Sequence, residues 1–333
     1  VKRGGEPPAI LVSYHYAKAS TDRWDAFFVE AKRAGWHVLL DSGAFSAWCS
    51  GKVIRLDEYV RYLDMRRDLF SAGYIQLDVV SDNDSTLRNL EAMVRARLSP
   101  IPVLTQDMPI ARAADMVALA GNDTLCVAGG VTWPDREMAA RYTLVNRAVP
   151  KVKLHGLGFT RNSLAWRVPL FSSDSSSWQV GGRYGQATVF NRREGCAHVQ
   201  LPKLFKKGWA ALPRRLQRVM DESCIGPRNW SDKLVHRTHA SWINVMGTVA
   251  WLQYGDHMRS TGRRFYFALV GPDKLTQLAA AQMHRTASGG CKYPDCVVTY
   301  LRLRELCRTD RTAFWRFVFR EVDWRTTCND ASL

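Results

Sequence analysis

No apolar run in this chain approaches the ~18 residues that a membrane-spanning helix needs, and no charged-then-apolar leader opens it. Neither a membrane protein nor a secreted one is therefore expected. The eight cysteines, at 49, 126, 196, 224, 291, 296, 307 and 328, show no disulfide-framework spacing. That fits a reducing cytoplasm, and Cys126, inside an apolar stretch, reads as a small core residue. No G-x-G-x-x-G follows the first apolar run, which counts against a dinucleotide fold, and Gly156-Leu-Gly158 is too short to restore it. Internal repeats and low-complexity tracts are also missing.

What is present is a chain of 333 residues with 46% hydrophobic content, enough to bury a substantial core. Its net charge of +16 is uneven: residues 1–190 hold 23 Lys and Arg against 19 Asp and Glu, residues 191–333 hold 24 against 12. A basic second half suggests a polyanion partner, nucleic acid before membrane; a merely soluble basic surface is the plainer alternative. Lys206, Lys207, Arg214 and Arg215, in a stretch broken by Pro202 and Pro213, are candidates for phosphate contact.

Strand-like runs recur at 9–13, 37–40, 74–78, 101–105, 124–128, 152–155 and 168–173, with helical patterns at 21–34, 56–71, 84–97, 108–120 and 134–147. In the first helix Trp24, Phe27, Phe28 and Ala31 form one apolar face, and Thr21-Asp22 and Ser85-Thr86 resemble N-cap signals. This alternation predicts a parallel sheet. An eighth strand at Ala187–Phe190 favours a (β/α)₈ barrel over residues 1–190, with an open doubly wound sheet as the alternative. Residues 191–333 read as a basic, mainly helical extension containing a strand near 265–270.

Two segments carry most of the chemistry, His37-Val-Leu-Leu-Asp-Ser-Gly-Ala-Phe45 and Pro169-Leu-Phe-Ser-Ser-Asp-Ser-Ser-Ser-Trp178. Each places an aspartate at a strand C-terminus, where parallel α/β folds collect catalytic groups. Asp41, Asp78 and Asp174 end their strands in the same phase. Two carboxylates with divergent pKa values divide the work of displacement at a sugar carbon, one as nucleophile and one moving protons. A helix N-cap is the plainer role for each aspartate taken singly. Gly129-Gly130 and Gly156 would let a flat ligand press on the backbone, or serve tight turns; Phe45 would stack on a heterocycle or join the core.

The order D-S-G-x-F, L-D, G-G, H-G-L-G, S-x-D-S-S-S-W and G-x-R-Y-G resembles the tRNA-guanine transglycosylases. It is closer still to their DNA-acting relatives, the 7-deazaguanine DNA transglycosylases of viral and bacterial DNA-modification systems. The resemblance covers roughly residues 9–190. It implies exchange of guanine in DNA for a 7-deazaguanine such as preQ0, with no cofactor for the chemistry, in the cytoplasm of a bacterium or phage-infected host. Asp174 would be the nucleophile and Asp41 the general acid/base. Asp78 and Ser42 would bind the base, Phe45 would stack on it, and backbone at Gly129, Gly130 and Gly156 would meet its edge. Arg183 and Tyr184 would hold the phosphate backbone. Trp178 and Trp209 would serve as wedges, or pack in the core.

The chain departs from the tRNA enzymes in its cysteines. Their zinc pattern C-x-C-x2-C with a distant His is replaced by Cys291, Cys296 and Cys307, with His284 the last histidine. These four would be the ligands of a Cys₃His structural zinc, but their spacing is irregular and no close C-x2-C pair anchors them, so no metal is assigned to the site. Gln106 matches the base-site glutamine only loosely. The same chemistry on tRNA, and a catalytically dead barrel that binds nucleic acid, are the rival readings. Oligomeric state stays open.

Overall fold

The structure is a computed structural model and describes residues 6–129, 132–159, 164–179, 186–192, 195–200, 214, 217, 239–286 and 295–324. Two compact units divide the chain. One comprises Ala9–Ser175 and Thr261–Gly271, the other the described parts of Val1–Pro8, Ser176–Ser260 and Pro272–Leu333.

The first unit is a curled, all-parallel sheet flanked by helices, an α/β barrel-like arrangement. Its strands are β1 (Ala9–Ser13), β2 (Val38–Asp41), β3 (Val103–Leu104), β4 (Thr124–Val127), β5 (Lys153–Gly156) and β6 (Ser172–Ser175). They are joined by β9 (Arg264–Leu269), in the order β2-β1-β9-β6-β5-β4-β3. Most of these strands are continuous apolar runs rather than alternating ones, because both faces are covered; every residue of β1 is buried. One face carries a contiguous cluster of Ala9, Leu11, Leu39, Ile75, Ile101, Val103, Cys126, Tyr266 and Ala268. Cys126 is thus a core residue, as its neighbours in the sequence suggest.

Isolated parallel bridges join Leu40 to Tyr74 and Ile75 to Ile101, so the run at 74–78 is extended backbone with two bridges rather than a regular strand. A buried side chain explains the interruption. Gln76 Oε1 accepts from the Val103 N–H at 2.9 Å while its Nε2 donates to Thr86 O at 3.0 Å, replacing ladder bonds that main chain would otherwise make.

The helices are α1 (Tyr14–Ala17), α2 (Thr21–Arg33), α3 (Ala44–Cys49), α4 (Leu56–Arg66), α5 (Asn83–Arg95), α6 (Arg112–Ala120) and α7 (Asp135–Ala148). Helix α2 buries Trp24, Phe27, Phe28 and Ala31 as its periodicity predicts, and Phe28 meets Phe70 edge-on at 5.0 Å. The cap of α5 lies earlier than Ser85-Thr86: Asp82 accepts from the Ser85 N–H at 2.9 Å. Tyr59 of α4 donates to Ile75 O at 2.7 Å and Tyr142 of α7 to Val127 O at 3.0 Å. These two phenols pin helices to the sheet, and burial raises both pKa values.

The expected eighth strand is corrected. Residues 187–190 lie in β7 (Gln186–Asn191), which pairs antiparallel with β8 (Gly195–Gln200) in a separate two-stranded sheet. Near neighbours in sequence pair at small entropic cost, and that local hairpin wins over a distant parallel partner. The parallel position between β1 and β6 goes to β9 instead. Accordingly the units divide after residue 175, and 261–271 returns to the first, rather than the chain splitting at 190.

The second unit holds β7, β8, α8 (His239–Ser260), α9 (Leu275–Thr286), α10 (Asp295–Thr309) and α11 (Arg311–Arg316). Helix α8 packs on β7, with Phe190 edge-on to Tyr254 at 6.4 Å. Gln277 of α9 donates to Thr248 Oγ1 of α8 at 2.6 Å, and Asp256 takes ion pairs from both Arg259 and Arg285. Asp310 caps α11 through the Ala313 N–H. Among the described residues, no helix is long and apolar enough to cross a membrane.

Candidate active site

Asp41 closes β2 in register with Ser13 of β1, and the chain then turns sharply into α3. Gly43 makes that turn with φ of +77°, where an added Cβ would overlap Ser13 Oγ and lie 2.5 Å from His15 Cβ and 2.9 Å from His15 N. The turn places the Gly43 N–H on Asp41 Oδ2 at 2.9 Å and the Ala44 N–H on Ser42 Oγ at 3.2 Å. Ser42 in turn donates to Asp78 Oδ1 at 3.3 Å. One turn thus engages two of the three aspartates, Asp41 through the Gly43 N–H and Asp78 through the Ser42 hydroxyl. We expect Gly43→Ala to cost about 1–2 kcal/mol of left-handed strain and about 1–3 kcal/mol of overlap, measured by chemical unfolding. Wild-type stability in that variant would show that the turn relaxes freely.

Asp174 lies within β6 rather than beyond its end, because the regular strand spans 172–175 and not 168–173. Pro169, lacking an N–H, delays regular pairing in the apolar lead-in. The strand itself, Ser-Ser-Asp-Ser, is polar and fully buried. Such a sequence is unfavourable as core and marks a place where polar groups are needed. Asp174 Oδ1 accepts from the Gly158 N–H at 2.8 Å, across from the loop after β5. It is therefore not simply a local helix cap. His155 of β5, buried, sets Nε2 at 3.3 Å from the same oxygen, within ion-pair reach though without a formed hydrogen bond. Its Nδ1 lies 2.9 Å from Ser172 Oγ.

The electrostatics raise the proton affinity of Asp41 and Asp78. Burial, then the charges of Asp78 and Asp174, push Asp41 up to about 7 against the opposing N–H groups of Gly43 and Ser42. Burial lifts Asp78 to about 6. Both keep some surface open to water yet are enclosed by protein on most sides. Near neutral pH Asp41 exchanges a proton readily, which is what a general acid/base requires.

The remaining sequence candidates divide. Phe45 is 59% exposed and faces Trp48, equally exposed, at 6.0 Å, so it is not a core residue. Gly156 is needed on the helix side, where a Cβ would stand 3.0 Å from both Phe159 Cβ and Tyr142 Oη. Gly129 presses on the Met138 thioether. Close packing accounts for the missing side chain at Gly156, whereas at Gly129 the neighbour is the movable end of a methionine. Gln106 is exposed and bonds Asp107. Trp178 is buried, which excludes it as a wedge. Arg214 is exposed. Gly130, Arg183, Tyr184, Lys206, Lys207, Trp209 and Arg215 lie outside the described residues.

His155 is the residue sequence reasoning passed over. It stood inside the H-G-L-G motif without a role, and an imidazole within a strand-like run, Val152-Lys-Leu-His155, was the available signal. Of the zinc candidates, Cys291 and the Cys296 side chain fall outside the described residues, while burial lowers His284 to about 4. Among the described residues no group of three or more His, Cys, Asp or Glu is arranged to hold a metal. A groove of about 360 Å³ lies at the opposite, N-terminal rim, between Lys151, Phe171 and Arg263, away from the carboxylates. No protein-family model matches the chain, and no curated protein matches its sequence.

Proposed function

We propose that the protein is a transglycosylase that exchanges guanine in DNA for a 7-deazaguanine base such as preQ0, working from the C-terminal rim of a (β/α)₈ barrel. The observation that carries this reading is a proton-holding carboxyl, Asp41, close enough to Asp78 and Asp174 to feel both charges. Asp174 attacks C1′; the C1′–N9 bond breaks with its electron pair on the purine, which takes a proton from Asp41. The incoming base gives its N9 proton to Asp41, attacks C1′ and displaces Asp174. Bonds and charges balance with no redox partner. Asp78 and Ser42 hold the base, and Phe45 stacks on it or on its neighbour.

Closure of the barrel is supported by the two bridges through Tyr74 and Ile75, which link β2 to the chain leading into β3. A nucleic-acid polymer is supported by the excess positive charge of residues 191–333, which would offset the few kcal/mol needed to extrude a base, and DNA rather than tRNA is the reading the motif resemblance favours. On this reading the protein acts in the cytoplasm of a bacterium or phage-infected host.

The test is mass-detected incorporation of preQ0 into double-stranded DNA and tRNA side by side. DNA alone should be labelled. Labelling of tRNA alone would transfer the same chemistry to the other polymer, and labelling of neither would remove the reading.

A further inference from the structure

We propose that His155, aimed by Ser172, is a positioning residue for Asp174, and that Asp174 Oδ2 is the oxygen that bonds C1′. The proposal rests on the glycosyl-transfer reading and adds the attacking atom and the group that orients it. Three distances carry it. The Gly158 N–H bonds Asp174 Oδ1 at 2.8 Å, His155 Nε2 stands 3.3 Å from the same Oδ1, and His155 Nδ1 lies 2.9 Å from Ser172 Oγ. All the side chains concerned are buried.

The neutral imidazole carries its proton on one nitrogen, and the bond at the other decides which. A Ser172 hydroxyl that donates to Nδ1 leaves the proton on Nε2, facing the carboxylate. The opposite tautomer would set a lone pair against Oδ1, two acceptors together in a dry interior, so the carboxylate itself selects the donor form. Tyr266 meets the ring edge-on at 5.7 Å and limits its rotation. The hydrogen bond is not yet formed at Nε2, and such bonds tighten when substrate docks.

Two donors then converge on Oδ1, and the lone pairs of Oδ2 stay free. As Oδ2–C1′ forms, C1′–N9 breaks with its pair leaving on the base, and Oδ1 becomes the ester carbonyl. In the return step the electron pair of the Oδ2–C1′ bond goes back to the carboxylate. The donors on Oδ1 stabilise the charge that reappears. His155 thus acts on both half-reactions without touching the sugar or giving up a proton.

The experiment measures single-turnover formation of the covalent protein–DNA adduct, DNA affinity and thermal stability in wild type, His155→Phe, His155→Gln and Ser172→Ala. His155→Phe should slow adduct formation by about 10–100-fold, the usual cost of losing a group that orients another, with DNA affinity unchanged. His155→Gln, which can return an N–H to the Nε2 position, should recover much of the rate; a purely structural histidine would give no such split. Should His155→Phe fail to fold, Ser172→Ala decides: a slowed adduct step supports the proposal and a wild-type rate overturns it. A folded His155→Phe variant forming adduct at the wild-type rate also overturns it. In the adduct, C1′ should sit on the oxygen away from Gly158 N; on the other oxygen, the assignment of Oδ2 falls. If wild type forms no adduct with DNA or tRNA, the transglycosylase reading itself fails, a result distinct from all of these.

Discussion

Asp174→Asn loses base exchange by about 10⁴-fold or more, because an amide is no nucleophile and the covalent route closes. The substitution is nearly isosteric. Its amide oxygen still accepts the Gly158 N–H, so the fold and the Gly158 contact at 2.8 Å are retained. DNA affinity should hold or rise slightly, since a negative charge is removed. Labelled-guanine release and adduct formation on denaturing gels read the loss directly. Exchange at a rate comparable to wild type would move the nucleophile elsewhere.

Asp41→Asn has the second-largest effect, and it separates activity from stability. Exchange falls by about 10²–10⁴-fold, the range for losing a positioned general acid/base. Wild-type pH dependence has two arms around the Asp41 value of about 7. Guanine release needs the protonated form and weakens above that pH; discharge by the incoming base needs the ionised form and weakens below it. Asp78, at about 6, shares in the apparent values.

Stability moves the opposite way. The folded carboxyl binds its proton more tightly than the unfolded one, from 3.8 to about 7. Its favourable contribution is complete below the unfolded value and is lost as pH rises through the folded one. Above that, an ionised Asp41 costs up to about 4 kcal/mol, less what water at its exposed side screens. Asp41→Asn should therefore be more stable than wild type to urea at about pH 8, and nearly equal at about pH 4. No gain at the higher pH would mean the carboxyl ionises freely, and the acid/base assignment would go with it.

Much of this arrangement was legible along the chain. Helix α2 shows its buried face as a four-residue periodicity, and β1 and β4 are apolar enough to be read as strands. Asp41, Asp78 and Asp174 drew attention because each follows an apolar run, a local signal that needs no partner. The helix-cap alternative was equally local, and geometry had to separate the two. Asp41 does hold the turn into α3, whereas Asp174 reaches across to the next loop.

Other features had no local signal. The 265–270 run reads as a strand, but nothing in it says that it pairs with β1 and β6, nearly 90 residues from β6. Residues 187–190 read as a strand equally well and found a neighbour a few residues on. His155 and Asp174 are 19 positions apart, and only the β5–β6 register turns that separation into 3.3 Å. The elevated pKa of Asp41 likewise depends on burial and on the charges of Asp78 and Asp174, both distant in sequence.

The amino-acid order alone thus determined most of the strand and helix segments and that Asp41 closes a strand, since periodicity and chain-neighbour chemistry are short-range; the bridged run at 74–78 and the start of β6 needed the structure. Tertiary structure decided the partner of β9, the separate β7–β8 pair, the His155–Asp174 approach and the proton affinity of Asp41. Each of those depends on groups far apart in sequence, brought together only when the sheet closes its long loops and buries charge that water would otherwise keep apart.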